Sequence, residues 1–288
     1  MTILITGASG NIGRQVVQQL SSRGAAVRAL VRDPSKAEFP EGVEVVQGDL
    51  LDVEALRRAM AGVSTLFLLN GVVPDEFTQA LITLNLARDA GVERVVYLSV
   101  IHSDRYLNVP HFAGKFGVER MLEQMGFGAT ILRPAYFMQN DLTIKDVVLG
   151  HGVYPMPVGS KGLAMIDTRD IAEIAALELM RRDASAPLPL QRMNLVGPGT
   201  LTGADVAEVW SAVLGRPVVY GGDDTAGFEK NLQNFMPGWM AYDMRLMSER
   251  FLSDGMNPEA GDVERLVALL GRPLRTYRDF AAELSASA

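Results

Sequence analysis

The chain has 288 residues, of which 48% are apolar, and this is enough to build one large domain or two smaller ones. Its net charge of −7 and lack of a Lys/Arg run argue against nucleic-acid binding, which needs phosphate neutralisation. The chain has no Cys, and its three His lack the paired spacing of metal ligands, so we expect no metal site. No apolar run reaches transmembrane length, so we expect no membrane span. The chain enters an apolar strand at once, so we expect no signal peptide and a cytoplasmic protein.

The first 33 residues have the pattern of a strand, a glycine-rich turn, a helix and a second strand. Residues 3–6 form a short apolar run that is typical of a buried parallel strand. Gly7, Gly10 and Gly13 follow it, and the apolar residues after Gly13 repeat at helical spacing. Residues 27–31 form the next strand. This order predicts a strand–turn–helix–strand unit at the start of the chain.

Such a unit suits a dinucleotide. One glycine allows a sharp turn, a second lets the backbone approach a diphosphate, and a third lets helix and strand pack closely. The helix N-terminus offers free N–H groups and a positive dipole end to the phosphates. The spacing is G-x-x-G-x-x-G rather than G-x-G-x-x-G, so its position between strand and helix carries the prediction; the alternative is a turn that binds nothing. The candidate diphosphate contacts are Gly7, Ser9, Gly10, Asn11, Ile12 and Gly13.

The end of the second predicted strand bears on the choice of cofactor. An acidic residue there suits the ribose 2′-hydroxyl of NAD, whereas an Arg suits the 2′-phosphate of NADP. This chain has Arg32 followed directly by Asp33. We predict that NADP(H) is preferred and that NAD(H) is possible, the alternative being that Arg32 is an ordinary solvated charge.

Strands and helices alternate as far as residue 133, which predicts a Rossmann-type, doubly wound parallel sheet with helices on both faces. We expect a cofactor domain over residues 1–150 and a smaller C-terminal α/β substrate-binding or lid region over residues 151–288. A strand near residues 193–196 is predicted to return to the sheet. The other elements of the first part are predicted strands at 43–49, 65–69, 94–99 and 129–133 and helices at 53–60, 75–90 and 109–124.

The carboxyl ends of these strands supply further candidates, because ligands of doubly wound sheets bind at that edge. Asp49 and Leu50 follow the third strand and are predicted to contact the adenine, although Asp49 could instead be a helix cap. Asp52 is predicted to cap the next helix. Asn70 ends the fourth strand and is expected near the cofactor.

Beyond residue 134 the pattern is less regular. We expect helical residues at 136–150 and a short strand at 163–166. The segment 228–247 is rich in aromatic and Met side chains. It could cover a flat aromatic substrate, belong to the core or form a dimer surface, and a Met and aromatic stripe is more often core.

Two residues of the predicted helix 109–124 could take part in chemistry. His111 and Lys115 are four residues apart and share a helix face. In short-chain dehydrogenases a Tyr and a Lys have this spacing, and a Ser at the end of the fifth strand steadies the substrate, as Ser99 would here. His111 stands in the place of the Tyr. Imidazole can donate a proton near neutral pH, so His111 is a catalytic candidate, or else a packed or solvated side chain.

The chain resembles the NmrA-like branch of the atypical short-chain dehydrogenase/reductases. The resemblance implies that Lys115 touches the nicotinamide ribose and that Pro134, Tyr136 and Phe137 lie near the nicotinamide. That family includes NADPH-dependent quinone and triphenylmethane dye reductases, and regulators that bind NAD(P) without known catalysis. The resemblance covers residues 5–13, 31–32, 48–49, 87–92, 115, 119, 131–140, 167–171 and 193–197.

We therefore predict an NAD(P)H-dependent oxidoreductase that transfers hydride to a small aromatic or conjugated acceptor such as a quinone, dye or enone. A His at position 111 makes ketone–alcohol and sugar-nucleotide epimerase chemistry less suitable, since both rely on the Tyr. The alternative is a non-catalytic redox sensor that acts through a protein partner. We expect a monomer or homodimer with a small-molecule substrate.

Overall fold

The computed structural model describes residues 1–286; the last two residues of the predicted 151–288 region lie outside this range. The strands are β1 Thr2–Ile5, β2 Ala26–Val31, β3 Glu44–Gln47, β4 Val63–Leu68, β5 Arg94–Leu98, β6 Gly128–Pro134, β7 Val153–Tyr154, β8 Gln191–Leu195 and β9 Val219–Tyr220. The α-helices are α1 Asn11–Ser22, α2 Val53–Met60, α3 Glu76–Asp89, α4 Pro110–Gln124, α5 Lys145–His151, α6 Thr168–Asp183, α7 Gly203–Leu214, α8 Thr225–Leu232, α9 Gly238–Ser253, α10 Asp262–Leu270 and α11 Tyr277–Ala286.

Seven strands form one sheet in the order β3-β2-β1-β4-β5-β6-β8. The pairings from β3 through β6 are parallel. This is the strand order of doubly wound dinucleotide-binding folds, in which the order reverses at β1. The predicted Rossmann-type sheet is confirmed, and the predicted strand near residues 193–196 does return to it as β8.

The chain divides into two compact units that are interleaved along the sequence. Unit 1 comprises Met1–Val100, Gly114–Arg133 and Ile171–Met193, and unit 2 comprises Ile101–Ala113, Pro134–Asp170 and Asn194–Ala288. Compactness does not show which residues bind a cofactor or a substrate. The cofactor domain at 1–150 and the substrate region at 151–288 therefore stay predictions.

Unit 1 is built around strands that are buried on both faces, as expected for a parallel sheet covered by helices. Leu4 and Leu66, on neighbouring strands, and Val95 on β5 are fully buried. They belong to one apolar cluster to which α2, α3 and α4 also contribute. Because these strands are parallel, the carboxyl ends of β1, β2, β4 and β5 lie at one edge of the sheet.

Unit 2 departs from the sequence predictions in three places. Residues 163–166 form isolated bridges rather than the predicted short strand. The helical stretch predicted at 136–150 is a 3₁₀ helix over Met138–Ile144 followed by α5. The two-residue strand β7, which pairs with β9, was not predicted, because two residues show no periodicity.

The aromatic segment at 228–247 is not a core stripe. Phe235 is 85% exposed, Tyr242 is 47% exposed and Trp239 is 39% exposed, whereas Trp210 on α7 is buried. Of the three interpretations of this segment, the core is therefore excluded for these three rings, whereas a substrate cover and a dimer surface stay predictions. In the described part of the chain, none of the helices is both long and apolar enough to span a bilayer.

Candidate functional site

The glycine turn between β1 and α1 has the geometry that only glycine allows. Gly7 has a φ of +60°, which side-chain-bearing residues rarely adopt. A Cβ on Gly13 would lie 2.2 Å from the carbonyl oxygen of Gly7, so any side chain there would displace the turn. Gly10 donates its N–H to the Gly7 oxygen at 3.0 Å and closes the loop. The turn therefore places backbone atoms without side chains next to the start of α1.

The N-terminus of α1 has no side-chain cap. Its N-cap residue is Gly10, and no acidic residue lies in its first turn. The first helical hydrogen bond comes from Arg14 N to Gly10 O at 2.9 Å, so the N–H groups before Arg14 have no intrahelical acceptor. Ser9 and Asn11 are exposed, whereas Ile12 is buried in the core and offers only its backbone.

A pocket of about 470 Å³ opens at the carboxyl ends of β2 and β3. Arg32 is exposed, and no described residue bonds its guanidinium. Asp33 does not line this pocket: it accepts hydrogen bonds from the N–H and hydroxyl of Ser35 at 3.1 and 2.6 Å, and these lower the pKa of Asp33. The pocket is lined by Arg32, Gln47, Gly48, Asp49, Asp52, Ala55 and Arg58.

Arg58 was missed by the sequence reasoning. It lies on α2, three residues after Ala55, which is itself three residues after Asp52, and all three line the pocket. That spacing places side chains on one helix face and was the signal that could have found it. With Arg58, two guanidinium groups line the pocket.

The acidic residues at the entrance to α2 have distinct contacts. Asp52 caps α2, as predicted, by accepting the Ala55 N–H at 2.9 Å. Asp49 lines the pocket and also accepts the Leu51 N–H at 3.0 Å. Leu50 is half-buried and packs against the core of unit 1. The adenine contacts of Asp49 and Leu50 stay predictions.

Asn70 and Lys115 meet at Glu76, the first residue of α3. Lys115 donates its Nζ to Glu76 Oε1 at 2.6 Å, and both side chains are buried. Asn70 donates its Nδ2 to the Glu76 carbonyl at 2.8 Å. The buried Oδ1 of Asn70 has no hydrogen-bond partner among the described residues. The Lys115 ammonium has three N–H donors, of which one is bonded to Glu76, and the buried Oδ1 of Asn70 lacks a donor. This cluster can therefore form hydrogen bonds with a further polar group.

Ser99 lies in a different cluster. Its hydroxyl donates to Glu119 Oε1 at 2.5 Å, and Glu119 also accepts two bonds from Arg133 at 2.9 and 2.6 Å. The single hydroxyl hydrogen of Ser99 is committed to this buried carboxylate, so only its lone pairs are free for a substrate. The steadying role of Ser99 stays a prediction.

The remaining candidates belong to unit 2. The His111 ring lies 2.8 Å from Asp243 on α9 through its Nδ1 atom. Tyr136 donates its hydroxyl to the buried Asp141 at 2.7 Å, and burial raises the pKa of Tyr136. Pro134 is buried, and Phe137 is half-buried. His111 and Tyr136 thus belong to two separate clusters, and Asp243 and Asp141 were both missed by the sequence reasoning.

The strand order, together with the glycine turn at its reversal point, defines an α/β protein of the Rossmann type. The model of the NmrA-like family matches residues 1–281, and the chain belongs to that family.

Its relatives include two reductases that align over almost the whole chain. The NAD(P)H azoreductase of Xenophilus azovorans is 30% identical over 284 residues, which are 97% of this chain and 96% of that protein. Quinone oxidoreductase 2 of Escherichia coli strain K12 is 29% identical and covers 98% of each chain. The crystal structure of the NADPH-dependent quinone oxidoreductase from Escherichia coli in complex with NADPH has a TM-score of 0.87 at 28% identity. It covers 98% of this chain and 99% of its own.

Proposed function

We propose that this protein is an NADPH-dependent reductase that delivers hydride to a small aromatic or conjugated acceptor. The glycine turn is the observation that carries the proposal. A Cβ at Gly13 has no room, Gly7 is left-handed, and the turn ends in an uncapped helix N-terminus. Such an N-terminus is an anion site through its free N–H groups and its dipole, and a dinucleotide diphosphate fits that chemistry.

The other residues of unit 1 fit the rest of the cofactor. Arg32 and Arg58 would bind the 2′-phosphate, because guanidinium groups match phosphate oxygens. Asp33, the residue that would suit NAD, is instead bonded by Ser35. Asp49 and Leu50 would contact the adenine. Asn70 and Lys115 would hold the nicotinamide ribose with the unpartnered amide oxygen and the remaining ammonium donors. When bound, NADPH supplies the hydride, and the chain supplies orientation and exclusion of water.

The acceptor class is inferred from unit 2 and from the relatives. The two relatives described above are named for the reduction of azo and quinone compounds. The exposed rings of Phe235, Trp239 and Tyr242 offer flat apolar surface to such a molecule. Pro134, Tyr136 and Phe137 would shape the nicotinamide side of the site, as the family resemblance implies. We propose residues 1–150 as the cofactor domain and 151–288 as the substrate region.

The proposed partners are small molecules. The net charge of −7 disfavours a nucleic-acid partner, and we propose a cytoplasmic monomer or homodimer. A sensor that binds NAD(P) and signals through a protein would need the same glycine turn, so turnover has to be measured directly.

Steady-state NADPH oxidation against a panel of quinones, azo dyes, triphenylmethane dyes and enones tests the proposal. We expect oxidation of NADPH that depends on the acceptor and yields one reduced acceptor per NADPH. The rate without acceptor is the control. If no acceptor is reduced, while NADP⁺ and NADPH bind with different affinities, the reductase proposal fails and the sensor is favoured.

A further inference from the structure

His111 and Asp243 form a buried, directional pair in unit 2. Nδ1 of His111 lies 2.8 Å from Oδ1 of Asp243, and the two side chains are only 9% and 2% exposed. The second carboxylate oxygen lies 3.3 Å from the backbone N of His111 and accepts its N–H. One carboxylate is thus bonded to both the backbone and the ring of the same residue, which fixes the orientation of the imidazole.

This contact assigns the two ring nitrogens. An ionised carboxylate is only an acceptor, so Nδ1 carries the hydrogen and Nε2 is the nitrogen left for other chemistry. The edge-to-face contact with Phe112, at 4.6 Å between ring centroids, holds the ring further. Within residues 1–286, no ionisable side chain other than Asp243 bonds the His111 ring. A ring held in one tautomer by a carboxylate is how general acids and bases are oriented in enzymes.

Asp243 also has a structural role. The carboxylate of Asp243, a residue of α9, accepts the N–H of His111 in the first turn of α4, where a negative charge stabilises the helix dipole. However, the shorter of its two bonds goes to the ring and the longer one to the backbone. A cap alone does not need the imidazole, so a variant at position 111 separates the two roles.

Helix α9 connects the pair to an aromatic surface. Trp239 and Asp243 are four residues apart and share one face of α9. Trp239 is 39% exposed, whereas Asp243 is buried against His111. A flat acceptor stacked on Trp239 would therefore lie about one helical turn from the pair along α9.

We propose that His111 protonates the reduced acceptor through Nε2 and that Asp243 is the residue that positions it. The inference rests on the proposed function. When a hydride from NADPH adds to one end of a conjugated carbonyl compound, the acceptor gains two electrons and one hydrogen and becomes an oxyanion. The Nε2–H bond of imidazolium His111 then breaks as the O–H bond forms. The other hydrogen stays on Nδ1, which donates it to Asp243, and a solvent proton returns to Nε2. The net reaction consumes NADPH, one acceptor and one proton.

Two acceptors with different proton demands give the test. A substituted benzoquinone needs a proton after hydride addition, whereas a cationic triphenylmethane dye becomes neutral on taking hydride and needs none. We expect His111→Gln to lower kcat/KM for the quinone about 10²-fold, the usual size of a general-acid contribution, and to leave dye reduction within about threefold. His151→Gln on the exposed end of α5 is the matched control and should change neither.

The positioning role of Asp243 can be tested by NMR spectroscopy, without measuring turnover. The chain has only three His, so long-range ¹H–¹⁵N spectra of the imidazoles can be assigned with His111→Gln and His151→Gln. The neutral His111 ring should carry its hydrogen on Nδ1 in the wild type. It should lose this preference in Asp243→Asn, since an amide can also donate, and regain it in Asp243→Glu. Thermal unfolding of each variant checks that the fold is intact.

The possible results distinguish failure of the proton-donor role of His111 from failure of the proposed reductase function. Equal loss of quinone and dye reduction in His111→Gln, or a wild-type ring with its hydrogen on Nε2, overturns the inference and leaves the reductase standing. A wild type that reduces neither acceptor overturns the proposed function, and the proton-donor role falls with it.

Discussion

The surroundings of Glu119 in unit 1 and of Asp141 in unit 2 bury a carboxylate in opposite ways. Glu119 is fully buried and accepts a two-pronged bond from Arg133 as well as the Ser99 hydroxyl. Asp141 is equally buried but is bonded by the hydroxyls of Tyr136 and Tyr277. Among residues 1–286, no Lys, Arg or His forms an ion pair with it, and its only side-chain partners are tyrosines. The two carboxylates therefore differ in the charge of the groups that bond them: Arg133 is cationic, whereas the two tyrosine hydroxyls are neutral.

The difference has a consequence for pH. Burial raises the pKa of Asp141 to about 6, and the hydrogen bonds from Tyr277 and Tyr136 offset only part of that rise. A carboxyl whose pKa rises on folding stabilises the native state most below its unfolded pKa, and loses that contribution as pH climbs to the folded pKa. The ionisation of Asp141 therefore lowers the free energy of unfolding as the pH rises from about 4 to about 6, and the loss persists at higher pH.

Breaking the Glu119 pair should give the largest loss of stability. Glu119→Gln leaves the Arg133 guanidinium buried without its counter-charge, which typically costs about 3 to 5 kcal/mol. Urea unfolding at pH 7 measures the free energy of unfolding. Glu123→Gln, one turn further along α4 and partly exposed in its pair with Arg192, is the control and should cost about 1 kcal/mol or less. Equal effects of the two variants would contradict a buried, charge-dependent role for Glu119.

Asp141→Asn should have a smaller effect that depends on pH. A rise in pKa from 3.8 to about 6 corresponds to about 3 kcal/mol of stability lost by the wild type between pH 4 and pH 7.5. Asparagine does not ionise, so the variant should gain about that much relative to the wild type over the same range. Urea unfolding at both pH values measures the difference, with Asp146→Asn on α5 as an exposed control. A difference that does not change with pH would show that burial does not raise the pKa of Asp141.

The same contrast explains what could be predicted from the sequence. The sheet, the glycine turn and the cap at Asp52 were predictable because apolar runs, glycine spacing and N-cap residues act over a few positions. Arg58 was also within reach, since its spacing from Asp52 is local.

The partners of the buried charges were not predictable. Glu76 lies 39 positions from Lys115, and Asp243 lies 132 positions from His111. No periodicity connects residues so far apart, and their pairing follows from how the helices pack. For the same reason the sequence did not show that the hydroxyl of Ser99 is committed to Glu119.

The most direct test of the account is calorimetric titration of the protein with NADPH and with NADH. We expect one NADPH per chain, bound more tightly than NADH. Arg32→Ala should weaken NADPH binding about 10- to 100-fold, the size of a lost charge-assisted bond, and leave NADH binding within about threefold. Arg58→Ala should act in the same direction, whereas its neighbour Arg57, which pairs with Glu54 and does not line the pocket, should be replaceable by Ala without effect. A wild-type protein that binds neither nucleotide would contradict the central claim that the glycine turn holds a dinucleotide diphosphate.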